Sequence, residues 1–474
     1  MIGSTAHQSA LFYLPLASQI SLIKDDLLET IDPLLDDEML VEGVRKRLGG
    51  RRPRSAVTGR PGIAPDRLLR CCVLKHLKGW SFRELERELR CNLLYRRFTH
   101  FDADPTPNYA TFSRNFATLG RDLVEQLHAR VVGKAHEEQV ASGRKLRSDT
   151  TVVETNIHHP SDSSLLGDGV RVLTRHLKRL LEQCQVGALV VVDHARSVKH
   201  RLLEISRAAK VSTEAGRERL QESYRKLVGV TGGVVRQVKQ VLGNLQEGRL
   251  VVTGSTTHVL AQLTCLEHYL PLVEKVIQQT RERVFGGNRH VPGKVLSLFE
   301  PHTQVIRKGK PHKPTEFGRL VRLDEVEAGL VSQYEVLEGN AADTSALLPA
   351  VLQNVALFGR APRMATADRG YYSARNEKQA EELGVEQVAV PARGRLSGAR
   401  AERQKARWFR RALRWRSGIE ARIATLKHRF GMLRASYKGE SGFQRYVGWC
   451  VIAHNLVSIA RDQVRRKVLR CQES

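Results

Sequence analysis

The spacing of apolar and polar positions changes character along the chain. From residue 22 to about 140, apolar residues recur at three- and four-residue intervals, which predicts amphipathic helices. Leu22 to Leu48 carries this spacing, and Gly49-Gly50-Arg51-Arg52-Pro53 ends it in a basic loop. Gly59-Arg60-Pro61-Gly62 opens a second helical module. Within it, Asp66 starts a helix to about Leu77, and Gly79-Trp80 turns the chain. Ser81 then caps the next helix, with Glu84 three residues on as its capping-box partner. That helix stops before Asn92. Pro105-Thr106-Pro107 breaks the chain, and Thr106 is placed to cap a further helix with Pro107 at its first position.

The period then shortens to two. Lys145 to Ile157 is rich in β-branched residues and reads as a strand. It contains Asp149, an acid that is unfavourable inside a strand unless something partners it. His158 to Ser164 is a polar loop, and its paired histidines read better as loop residues than as metal ligands. From about Leu165 to Phe285 the pattern is long-helical, with Leu173, Leu177, Leu180 and Leu181 on one stripe. The Leu189–Val192 run reads as a buried helical turn, and Asp193-His194 as a surface pair. Strand signals return at Lys294–Phe299, Thr303–Arg307, Phe317–Leu323 and Leu330–Leu337, with a basic turn at Lys308–Lys313. Asp343 and Thr344 precede an apolar helix to about Asn354. Arg363 to Ala367 is a short buried strand that ends at Asp368. Ser373 caps a helix over Ala374–Leu383, and Val385–Val390 is the next strand. This alternation predicts a mixed α/β sheet, and acids at strand ends in such sheets face the crevice where ligands bind.

The last predicted helix of the sheet region runs from Trp415 to a stop at Gly431. Apart from Gly418 it is made of good helix formers. Positions four and seven apart share a helix face, so Arg416, Glu420 and Lys427 form one row. Two readings stand side by side: a solvated face with i,i+4 ion pairs, or a metal-binding acid flanked by phosphate-gripping cations.

Charge favours the second. The 474-residue chain has a formal net charge of +27, which suits a polyanionic partner. The last 82 residues, from Arg393, hold 21 Lys and Arg against 5 Asp and Glu, a net +16. Ten of those cations lie between Arg393 and Arg416, interleaved with Trp408 and Trp415. Arg407, Arg410, Arg411, Arg414 and Trp415 are therefore candidate nucleic-acid contacts, as is Arg369 beside Asp368. Near the N-terminus, a helix-turn-helix with Arg83, Arg87, Arg90, Arg96 and Arg97 fits a DNA groove as well as it fits a bundle with a wet basic face. No apolar run of about 18 residues exists to span a bilayer. The start lacks the basic-then-apolar pattern of a secretory signal. Seven cysteines without a C-x-x-C pair point to reduced thiols in a cytoplasm and against structural zinc.

Three stretches in order carry a family likeness. They are Ser148-Asp149-Thr150-Thr151-Val152 with Asn156-Ile157-His158-His159-Pro160 behind it, Ala367-Asp368-Arg369-Gly370-Tyr371, and the helix with Arg416, Glu420 and Lys427. The sequence resembles the bacterial insertion-sequence transposases with a ribonuclease-H-like D-D-E core. One branch of that family carries a tyrosine, arginine, glutamate, lysine signature in the glutamate helix. Here the last three members keep its spacing, while Leu413 stands in the tyrosine's place. Gly59-Arg60-Pro61 and Trp80-Ser81-Phe82-Arg83-Glu84-Leu85 resemble the family's N-terminal domain.

The resemblance implies an all-helical N-terminal segment (1–58), a helical DNA-binding domain (59–140) and a ribonuclease-H-like core (141–474). The 219 positions between the first two acids leave room for a helical insertion at about 165–290. It implies Asp149, Asp368 and Glu420 as catalytic acids holding two Mg²⁺ (or Mn²⁺) ions, Asp149 bridging both, Asp368 holding one and Glu420 the other. Arg416 and Lys427 would grip neighbouring phosphates. The implied activity is end cleavage and joining of double-stranded DNA, terminal inverted repeats to target, by a homodimer in the cytoplasm at the nucleoid. No membrane or small-molecule partner is implied. A DNA-binding protein without catalysis and a structure-specific nuclease on the same core are the alternatives.

Overall fold

The structure, a computed structural model, describes residues 23–51, 62–185, 191–288, 290–307, 314–339 and 343–473. Arg52 and Pro53 of the basic loop, the Gly59-Arg60-Pro61 motif, residues 189–190 and the basic turn at 308–313 lie outside the described residues. The chain divides into two compact units, one of Met1–Asn156 with Gln304–Ser474 and one of Ile157–Thr303.

Among its described residues the first unit begins with seven helices: α1 (Asp26–Ile31), α2 (Glu38–Gly49), α3 (Pro65–Lys78), α4 (Phe82–Cys91), α5 (Leu93–Phe98), α6 (Tyr109–Thr118) and α7 (Gly120–Glu137). Pro33 and a single 3-10 turn separate α1 from α2. Gly79 ends α3 in the left-handed region at φ +68°, where only glycine is free of Cβ strain. The Ser81–Glu84 capping box forms in both directions. Thr106 does not cap α6; Asn108 does, its side-chain oxygen accepting from Thr111 N at 2.9 Å. The amide reaches the third backbone N–H from there, which leaves Pro107 outside the helix.

A sheet follows, seven-stranded among the described residues, with strands β1 (Lys145–Thr155), β4 (Gln304–Ile306), β5 (Glu316–Glu325), β6 (Val331–Val336), β7 (Met364–Ala367), β8 (Gln387–Ala389) and β9 (Arg434–Ala435); β2 (Cys184–Gln185) and β3 (Val251–Val252) belong to the second unit. The order is β4-β5-β1-β7-β8, with β6 also on β5 and β9 also on β1. Strand β5 runs antiparallel to β1, β4 and β6, whereas β7 and β9 run parallel to β1, and β8 to β7. This is the mixed sheet of a ribonuclease-H-like fold. Strand β1 lies at its centre with both faces largely buried, so it reads as β-branched throughout rather than alternating.

Helices α12 (Leu347–Phe358), α13 (Ala374–Glu382), α14 (Gly398–Lys405), α15 (Arg407–Arg429) and α16 (Glu440–Glu473) complete the unit. Ser373 caps α13. Helix α16 packs against α3 and α7, joining the N-terminal helices and the sheet in one core. Asn455 on α16 is fully buried and pairs with both backbone groups of Val331, accepting from its N at 3.0 Å and donating to its O at 2.7 Å. One side-chain amide thus supplies hydrogen bonds that a further strand would give β6.

The second unit is a helical bundle of α8 (Asp162–Leu181), α9 (Ala195–Ala208), α10 (Glu214–Gln246) and α11 (Thr256–Val284), with a small ribbon of β2 (Cys184–Gln185) and β3 (Val251–Val252). The stripe Leu173, Leu177, Leu180 and Leu181 is buried in it. Val191 and Val192 are not helical, and Val192 is exposed. Residues 294–299 form no strand: the Gln279 side chain takes both backbone groups of Val295, at 2.9 and 3.1 Å, and leaves nothing for a ladder there. Asp193 pairs with Lys178 at 2.7 Å.

Candidate active site

The first two acids lie on the central strand and just past the end of its parallel neighbour. The β1–β7 register pairs Arg147 with Thr366 and Ser148 with Ala367. The pairing ends there: Asp149 is the next residue along β1, and Asp368 is the first residue past the end of β7. Asp149 faces α15, whose Arg416 it meets. Asp149 accepts from the Thr150 N–H at 2.7 Å. Asp368 caps the short turn Arg369–Tyr371 by accepting from Gly370 N.

Helix α15 carries the third acid. Phe409, Ala412, Ile419 and Leu426 form its buried stripe. Phe409 and Ala412 pack with Met364 of β7 and Ala389 of β8, and Leu413 adjoins the same cluster. The leucine in the signature's tyrosine place is therefore an apolar packing residue. Arg416 and Glu420 lie one turn apart beside this stripe. Arg416 donates to Asp149 Oδ2 at 3.0 Å and to Glu420 Oε1 at 3.3 Å. One guanidinium thus spans an acid from the sheet and an acid from the helix. Lys427 is half-buried farther along the row.

Carboxylate oxygens suit Mg²⁺ or Mn²⁺ in kind. Among the described residues, however, no three His, Cys, Asp or Glu side chains are grouped so that they could hold a metal ion. Asp149 and Asp368 each follow the last β1–β7 pair, Ser148 with Ala367. Glu420 is held off by its pair with Arg416, and its side chain is 68 % exposed. An exposed glutamate keeps the rotamer freedom to leave such a pair.

The basic run splits into two sets. Arg400 and Arg403 are bound to Glu377 and Glu381 and serve packing. Arg407, Arg410, Arg411 and Arg414 are exposed and have no acidic partner among the described residues. They lie on the outer side of the helix that carries Glu420. Trp415 is half-buried and its ring carries the Arg147 guanidinium at 4.6 Å from the centroid. Arg369 is exposed next to Asp368. In the N-terminal helices, Arg87 pairs with Glu88 at 2.8 Å and Arg83 lies 5.0 Å over the Tyr109 ring. Arg96 is spent on the carbonyls of Leu89, Asp102 and Asp104.

Two site neighbours carry no strong sequence signal. Arg147 is legible only as the same-face residue two before Asp149, and Glu325 ends an ordinary-looking strand. Both are buried, and they pair with each other.

Two family models match the chain: residues 16–118 match a transposase domain (DUF772), and residues 325–456 match the transposase DDE domain. The second match contains Asp368 and Glu420. Neither the curated proteins nor the solved structures give a match. The two family matches and the mixed sheet support an insertion-sequence transposase of the DDE class with a ribonuclease-H-like core.

Proposed function

We propose that the protein cuts the ends of its own insertion sequence and joins them to target DNA, with Asp149, Asp368 and Glu420 as the acids that carry both steps. Arg416 bonding Asp149 on β1 and Glu420 on α15 at once, with Asp368 one step past the β1–β7 pairing, is the observation that supports it most directly. Each step is an in-line displacement at phosphorus, first by water and then by the freed 3′-hydroxyl. Two divalent ions, when bound, would stabilise charge on the attacking and leaving oxygens. The chain's own residues have simpler tasks. The three carboxylates present hard oxygen ligands at one end of the sheet. Arg416, once released from the acids, and Lys427 grip phosphates next to the scissile one, and Arg369 and the outer row of α15 hold the flanking backbone. The helices of 59–140, with Arg83 and Arg87, are the proposed reader of the terminal repeats, preceded by the segment 1–58. The helical unit within 141–474 is an insertion into the core. Two DNA ends must be held together, so the working form is a homodimer on DNA in the cytoplasm.

A Mg²⁺-dependent cleavage and strand-transfer assay on DNA bearing the gene's own flanking repeats tests this. Asp149→Asn is expected to abolish both steps and leave DNA binding intact. Full activity in that variant would refute the assignment, and cleavage without joining would favour the nuclease.

A further inference from the structure

We propose that Glu325 and Arg147 act as a positioning pair that fixes the acid-bearing helix against the central strand, with Gly418 as the gap that admits their grip. Glu325 is fully buried at the end of β5, and Arg147 is 7 % exposed on β1. They form a fork-to-fork pair: Arg147 Nε donates to Glu325 Oε2 at 3.1 Å and Nη2 donates to Oε1. The remaining nitrogen, Nη1, donates to the backbone carbonyl of Trp415 on α15. The same guanidinium lies over the Trp415 ring. A Cβ built on Gly418 would come within 2.6 Å of Arg147 Nη1. A larger residue there would have to displace the Arg147 guanidinium from its place between Glu325 and Trp415.

Glu325 also accepts from Arg422 Nε at 3.3 Å. The helix is therefore tied at Trp415 and at Arg422, and the two ties bracket Arg416 and Glu420. Apolar contacts alone would hold α15 without fixing how far it slides or turns, because they are non-directional. A bidentate ion pair has one geometry. Gly329, at φ +72°, leaves room for the Arg422 guanidinium in turn: a Cβ there would lie 1.8 Å from Nη2.

This inference rests on the acid-site reading above, and the test separates the two. Gly418→Ala in the full chain is the main variant, since alanine normally strengthens a helix interior relative to glycine. It is expected to weaken Mn²⁺ binding to DNA-free protein about tenfold by calorimetry, in the range of outer-shell substitutions. DNA-end cleavage should slow by about 100-fold in kcat. The KM for DNA and the melting temperature should stay close to wild type, and amide exchange should quicken over residues 415–422. Arg147→Lys, which keeps the charge but loses the fork, should show the same pattern. Wild-type Mn²⁺ affinity, kcat and exchange in both variants would overturn the proposal, as would losses that merely follow the unfolded fraction. If Asp149→Asn leaves Mn²⁺ binding and cleavage unchanged, the acid-site reading fails instead. The clamp then stands or falls on the exchange of 415–422.

Discussion

Arg416 keeps apart two carboxylates and keeps both near the sheet end. Its hydrogen bonds to Asp149 and Glu420 are charge-assisted, and the Asp149 pair is mostly shielded from water, with side chains 19 % and 15 % exposed. Arg416→Ala is expected to cost the metal-free protein roughly 1–3 kcal/mol, the usual scale for hydrogen bonds to charged groups. It also removes a cation that competes for the same oxygens. Calorimetry should therefore show tighter Mn²⁺ binding than wild type while DNA cleavage falls; weaker Mn²⁺ binding would mean that Arg416 helps to build the site rather than to block it. At this scale the sequence was partly legible. Asp149 stood out as an acid in a β-branched strand, and Asp368 as the end of a buried one. Gly418 stood out as the one poor helix former in its helix, but its cause is Arg147, far away in the chain. Glu325 gave no signal, because nothing local separates a buried acid at a strand end from an exposed one.

Among the elements, α15 divides its faces cleanly: an apolar stripe toward β7 and β8, Glu420 and Arg416 at the edge, and exposed arginines outside that have no acidic partner among the described residues. Replacing Arg410, Arg411 and Arg414 by alanine should lower the slope of log affinity against log salt by about 0.9 for each phosphate that is no longer neutralised. An unchanged slope would remove this face from the DNA interface. The N-terminal helices offer two tests by pH and packing. Burial would lower the His100 pKa, but hydrogen bonds to Asp32 and Asp66 outweigh it and hold it up at about 9. A raised histidine pKa adds stability that is full below about 6.5 and is lost as pH rises through about 9. Denaturant titrations should show that loss in wild type and a flatter pH response in His100→Gln. Lys75 is 2 % exposed in a box of Phe82, Tyr437 and Tyr446 rings, at 4.9, 5.0 and 5.7 Å. Burial pulls its pKa down to about 8. Lys75→Met is expected to stabilise the fold at pH 7, by an amount on the order of 1–3 kcal/mol; a lower melting temperature would mean that cation–π attraction dominates. Local signals served well wherever the partner was local, as in the Ser81–Glu84 box and the Ser373 cap. They failed at Lys294–Phe299, where a glutamine from α11 occupies the backbone that a strand would use, and at Thr106, where Asn108 has the better reach.

For the molecule as a whole, the net charge of +27 makes DNA affinity fall with added salt before any sequence is read. No helix among the described residues is long and apolar enough to cross a membrane. The order of elements in the sheet was visible in the alternation of periods, whereas the pairing of β1 with strands from three later regions was not, since hydrophobic pattern carries no register between distant segments. That pairing also bears on how the protein comes into being. Strand β1 takes its neighbours from residues 316–325, 364–367 and 434–435, which makes its partners distant along the chain and its folding slow. A nascent polypeptide carries this β-branched segment unpaired from early in translation until residues 316–325 have left the ribosome, and its last partner arrives only with position 435. Fragments that stop short of residue 316 should aggregate unless something shields that segment.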